Sequence, residues 1–115
     1  MEITMTDGTT REVDINVNAL TLFKLQKEGV INGNFLKGFM KEDIDLDPIS
    51  VLQAIYAAYR QANKEDYLKF DAFLESYELD IENDLAIYFA VISKKAKKQF
   101  QKGFYAKTGA STGKK

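Results

Sequence analysis

The chain has 115 residues, 45% of them hydrophobic and 29% charged, with a formal net charge of −1. That is the profile of one ordinary globular domain, long enough to bury a core without metals or cross-links. It contains neither Cys nor His. Disulfides, thiolate or imidazole zinc sites, and Ser-His or Cys-His catalysis are therefore excluded.

The charge is unevenly placed. Residues 1–84 hold eight basic and 17 acidic side chains, net −9, whereas residues 85–115 hold eight lysines and no acid, net +8. Such a split points to pairing within the chain, to pairing between subunits of a homo-oligomer, or to a basic tail for an acidic partner. The N-terminus carries no apolar run of the signal-peptide kind, so a cytoplasmic protein is expected, and no membrane contact.

In chain order, residues 2–17 read as a β-hairpin. Ile3 and Met5 alternate with polar residues before Asp7-Gly8, and Val13, Ile15 and Val17 alternate after it. Apolar positions are odd-numbered on both arms, which requires an odd-numbered loop. A three-residue loop, Thr6-Asp7-Gly8 with Gly8 left-handed, satisfies this; a two-residue turn would set Ile3 opposite Glu12. Asn18 then caps a helix over residues 19–28, ended by Gly29 and clamped by Val30, with Leu20, Leu22, Phe23 and Leu25 as a broad apolar face. Asn32-Gly33 signals a turn, followed by Phe35, Leu36, Phe39 and Met40 at the spacing of a short helix interrupted by Gly38.

The acidic run Glu42-Asp43-Ile44-Asp45-Leu46-Asp47 leads to the centre of the molecule. Asp47 is a helix cap and Pro48 suits the first helical position, where its missing N–H would have no partner. Between residues 49 and 59 only Ser50 and Gln53 are distinctly polar, so this helix, residues 48–61, is expected to be enclosed on all sides. It is too short in apolar residues for a membrane span. A polar link over residues 61–66 leads to a short helix with Phe70, Phe73, Leu74 and Tyr77 on one side. Asp80 caps what reads as the longest helix, residues 80–102, with a stripe of Ile81, Leu85, Tyr88, Phe89, Ile92, Ala96 and Phe100. Residues 85–92 are apolar all round. Gly103 ends the helix, and residues 105–115 form a Gly/Ser/Thr/Lys tail expected to be flexible.

The reading is therefore an α+β fold: an N-terminal β-hairpin packed on a mostly helical bundle of about four helices. Residues 1–104 form one domain, with Leu52, Ile55, Tyr56, Tyr59, Phe73, Leu85, Phe89 and Ile92 in the core.

Motifs with chemistry are few. Asp43, Asp45 and Asp47 imitate the start of an EF-hand loop, but Pro48 stands at the required Gly and Ala54 at the bidentate Glu, so no metal site is expected. Gly109-Ala110-Ser111-Thr112-Gly113-Lys114-Lys115 is one residue short of a phosphate-binding loop and lacks the hydroxyl after Lys. No feature converges two carboxylates in a pocket, so no catalytic residues, cofactor or enzymatic activity are expected.

The basic end of the last helix is the strongest candidate surface: Ile92, Lys94, Lys95, Ala96, Lys97, Lys98, Phe100 and Phe104 combine an apolar stripe with flanking lysines. A solvated lysine face that maintains solubility is the plainer reading. A small nucleic-acid-binding regulator is the alternative function. Lysines without arginine argue against it, whereas Phe100, Phe104 and Tyr105 keep it open.

The layout resembles the small tail assembly chaperones of long-tailed bacteriophages. The resemblance lies in the Asp7-Gly8 hairpin, the Asn18-Ala19-Leu20-Thr21-Leu22-Phe23-Lys24-Leu25-Gln26-Lys27-Glu28 helix, the apolar core of residues 52–59, and Phe70-Asp71-Ala72-Phe73-Leu74. It implies a protein that binds the long tape-measure protein, helps gather tail-tube protein around it in the host bacterial cytoplasm, and is absent from the finished particle. The family has no catalytic residues. Its members are often also made in a longer, frameshifted form. Gly113-Lys114-Lys115 is the kind of ending that a slippery run of G then A would encode, although lysine-rich tails are common in cytosolic proteins.

Overall fold

The structure, a computed structural model, describes residues 1–41 and 47–93. Within these residues lie two strands, β1 (Glu2–Thr4) and β2 (Thr10–Glu12), and five helices: α1 (Ala19–Lys27), α2 (Gly33–Lys41), α3 (Pro48–Ala62), α4 (Phe70–Ser76) and α5 (Ile81–Ile92). The α+β class holds: an N-terminal hairpin with a mostly helical remainder.

β1 and β2 pair antiparallel with Ile3 opposite Arg11. This is the register of the three-residue loop, and Gly8 sits at φ +87°. The loop closes through Asp7, whose carboxylate accepts from the Thr9 N–H at 2.9 Å. The second strand is shorter than expected. After Glu12 the chain stays extended but leaves the hairpin, with the Val13 N–H reaching the Met1 carbonyl and the Asp14 N–H the Ala58 carbonyl. The alternation survives: Val13, Ile15 and Val17 are all buried. The outer edge of β1 is covered as well. Met5 bridges to Tyr77, the Thr6 N–H donates to the Ser76 carbonyl, and the Glu78 N–H donates to the Thr4 carbonyl.

α3 is the axis of the molecule. Asp47 caps it through the Ile49 N–H, and every residue from 53 to 61 is buried. Its first turn is not enclosed, since Ile49 is exposed and Leu52 only half-buried. Around its middle, Phe73 lies 5.1 Å from the Tyr56 ring and 4.8 Å from that of Tyr59, with Tyr77 stacked on it at 5.2 Å. Both tyrosine hydroxyls find partners in one peptide segment. Tyr56 donates to the Leu68 carbonyl at 2.7 Å, and Tyr59 accepts from the Leu68 N–H at 2.8 Å. Burying two tyrosines here therefore strands no polar atom.

α2 runs unbroken through Gly38, started by Asn32, whose side chain accepts from the Phe35 N–H at 2.9 Å. Phe35 is buried and Met40 exposed. α5 departs furthest from expectation. It ends at Ile92, because Ser93 adopts φ −109°, ψ 125° and leaves the helix. At 12 residues it is shorter than α3, with 15. The rest of the helix expected from the sequence, residues 94–102, lies outside the described residues.

Its inward face is also rotated. Asp84, Ile87, Tyr88, Ala90, Val91 and Ile92 are buried, Leu85 and Phe89 are half-buried, and Ile81 is 76% exposed. A pattern of apolar residues assigns Asp84 outward. It turns inward because its two oxygens accept from the Tyr77 hydroxyl and the Asp80 N–H. Of the remaining expected core, Ile55, Tyr56, Tyr59 and Phe73 are fully buried.

Candidate partner-binding surface

The surface expected at the basic end is reached by the described residues only through Ile92. Ile92 is 4% exposed, part of the core, and so cannot begin an outward stripe. Lys94, Lys95, Ala96, Lys97, Lys98, Phe100 and Phe104 lie outside the described residues. So do the calcium-like Asp43 and Asp45 and the glycine-lysine ending. Asp47 serves as a helix cap. Among the described residues no three carboxylates converge as metal ligands.

A different surface emerges on α1. Asn18 caps this helix, its side chain accepting from the Thr21 N–H at 3.0 Å. Gly29 at φ +77° ends it. There the Gly29 N–H donates to the Gln26 carbonyl and the Val30 N–H to that of Leu25, a Schellman closure with Leu25 and Val30 both buried. Three polar ties from α3 then fix its rotation. Gln61 Oε1 accepts from the Asn18 N–H and the Thr21 hydroxyl at one end. Gln53 Nε2 donates to the Val30 carbonyl at 2.8 Å just beyond the other. Between them Arg60 forks onto Glu28 with contacts of 2.7 and 2.9 Å.

The Arg60 guanidinium is held from several sides. It also donates to the Tyr56 hydroxyl at 3.2 Å and lies 3.6 Å from the centre of the Tyr67 ring. The Glu28 hydrogen bonds hold Arg60 above its usual range, outweighing burial, and they lower Glu28 in return. Burial pushes the Tyr56 hydroxyl up.

These ties set which face of α1 turns inward. Thr21, Leu22 and Leu25 are buried, while Leu20 and Phe23 stand 60% and 58% exposed. The sequence pattern groups Leu20, Leu22, Phe23 and Leu25 as one broad apolar face. Thr21 takes the inward place because Gln61 satisfies its hydroxyl, and Leu20 and Phe23 are turned out. Beside them are Lys24 and Lys27, the ammonium of Lys27 sitting 5.7 Å from the Phe23 ring centre. The hollow next to them, lined by Asn18, Leu20, Thr21, Lys24, Arg60 and Lys64, is about 40 Å³, too small for an organic ligand. The arrangement is thus a convex, basic-rimmed apolar ridge on a rigidly held helix, suited to another protein and not to a small molecule.

A second pair of exposed apolar residues, Leu79 and Ile81, flanks Asp80 where α4 passes into α5. Beneath this corner Asp84 is buried against Tyr77; burial raises both groups, and the carboxylate adds to the rise at Tyr77. Both Asp84 oxygens are engaged, so the pair braces the corner.

Comparison of the chain with protein-family models, with curated proteins and with solved structures finds no match in any of the three.

Proposed function

We propose that this chain is a non-enzymatic tail assembly chaperone of the long-tailed-bacteriophage type. It acts in the host bacterial cytoplasm by holding the tape-measure protein and bringing tail-tube subunits to it, and it stays out of the finished particle. The observation that carries this reading is the outward placement of Leu20 and Phe23 on α1, a segment within the resemblance to that family. A long client built of amphipathic helices self-associates unless its apolar stripe is covered. A short helix offering two large apolar side chains at i and i+3, rimmed by Lys24 and Lys27, is a surface that such a stripe can pack on.

No helix of the described residues is long and apolar enough to cross a membrane. The test is co-expression with a tape-measure protein of a long-tailed phage. The client partitions to the supernatant and co-purifies with this chain. A client equally insoluble with and without it overturns the proposal.

A further inference from the structure

Residues 76–78 lie along the outer edge of β1 and extend the sheet by one short line. The Thr6 N–H donates to the Ser76 carbonyl and the Glu78 N–H to the Thr4 carbonyl, with Met5 opposite Tyr77 between them. In this pattern the backbone polar groups of Ser76 and Glu78 face β1, and those of the alternating residues, Tyr77 and Leu79, face the other way. The chain is extended at Tyr77 (φ −85°, ψ 131°) and again at Asp80 (φ −142°, ψ 96°), with no turn or bend between them. Among the described residues, neither the Tyr77 carbonyl nor the N–H and carbonyl of Leu79 has a hydrogen-bond partner. On this side the sheet ends in an open edge, a template for a further strand.

The side chains around that edge carry one sign. From Phe70 to Ser93 the chain has no Lys or Arg but six acidic residues, of which Asp71, Glu75, Glu78, Asp80 and Glu82 are exposed. Among the described residues no basic group forms an ion pair with any of them; the salt bridges there are Met1–Glu12 and Arg60–Glu28. Successive side chains of an extended chain face opposite sides, so Glu78 and Asp80 share one face and Leu79 takes the other. Leu79 is 68% exposed, and Ile81 beside it 76%. An open hollow of about 350 Å³, walled by Thr4, Tyr77, Glu78, Leu79, Asp80 and Asn83, lies against the edge and leaves room for an added strand. Unpaired backbone, acids on one face and an aliphatic side chain on the other are complemented by an extended segment of alternating basic and aliphatic residues.

We propose that residues 77–79 are a docking edge for an extended segment of a partner protein in which basic and aliphatic residues alternate. The segment adds to the sheet as a further strand. It pairs with the Leu79 N–H and carbonyl and with the Tyr77 carbonyl, sets lysine or arginine against Glu78 and Asp80, and covers Leu79. The proposal follows from the sheet edge and its charge and does not depend on the chaperone reading.

The test is an NMR titration of the full chain with a short capped peptide of alternating Lys and Val. The Leu79 amide signal shifts, and at saturation its hydrogen exchange slows at least ~tenfold, as a new backbone hydrogen bond requires. A counterpart methylated on every backbone nitrogen keeps the charges but cannot pair, and it leaves Leu79 unprotected. A Glu-Val counterpart does not bind, and Glu78→Lys weakens the Lys-Val peptide at least ~fivefold through like-charge contact. A Leu79 amide unmoved at ~1 mM Lys-Val peptide overturns the proposal, since binding weaker than that gives no usable dock. Equal protection by the methylated or the Glu-Val peptide also overturns it, as does undiminished affinity in Glu78→Lys. So does Leu79 exchange that is slow without any peptide: protection that rises with protein concentration assigns the edge to a second copy, and protection independent of concentration assigns it to the chain itself.

Discussion

Phe73 meets the rings of both Tyr56 and Tyr59, and it has no exposed surface. Phe73→Ala leaves a cavity that neighbouring helices cannot fill, and urea denaturation should show a loss of ~3–5 kcal/mol. Leu52→Ala, at a half-buried position, should cost distinctly less than the same truncation at Ile55, which is fully buried. The ion pair is tested by pH. The folded pKa of Glu28 lies below its ordinary value of 4.5, so its contribution is present above that pH and fades as pH falls through the depressed folded value. Glu28→Gln should therefore flatten the acid limb of a plot of Tm against pH while lowering Tm at neutrality. Asp84 has the opposite sign. Its raised pKa means that protonation on acidification relieves a buried charge, partly offsetting the loss at Glu28.

At the scale of elements, α1 depends on its two ends. Asn18→Ala removes the cap and should cost ~1 kcal/mol. Gly29→Ala forces a side chain into the left-handed region and should cost ~1–2 kcal/mol, although no neighbouring atom lies within 4 Å of the added methyl. Thermal melts of the two variants check both values. These ends were legible in the sequence because caps and glycine closures are local chemistry. The hairpin register was legible for the same reason: parity of the apolar residues and a loop glycine decide it. The faces of α1 and α5 were not. In each, a polar residue turns inward because a partner outside the helix satisfies it, Gln61 for Thr21 across 40 residues and Tyr77 for Asp84 across seven. Periodicity counts apolar side chains and cannot register such pairs, so it grouped Leu20 and Phe23 with Leu22 and Leu25 on one apolar face and began the α5 stripe at Ile81. The end of α5 at Ser93 was missed because Ala96 and Phe100 continue the apolar spacing in the sequence.

For the whole molecule, a helix enclosed on nearly all sides holds the other elements in place, and what it leaves outward defines what the protein can bind. One basic-rimmed ridge lies on α1, and one acid-rimmed corner lies between α4 and α5. Their opposite signs give the chain two distinct kinds of surface, of which we propose the first for the client. The candidate site named from sequence ran from Ile92 into the lysine-rich residues after it, because charge asymmetry is visible in one dimension. The α1 ridge needed the helix to be rotated by its buried polar ties before it could be seen. The most direct test is co-purification of the tape-measure protein with wild type and with Leu20→Asp combined with Phe23→Asp, both positions being solvent-facing, alongside circular dichroism of each. The account predicts an unchanged fold and melting temperature with client recovery lowered at least ~tenfold, as loss of a central apolar contact should produce. Undiminished recovery by the folded double variant would contradict it.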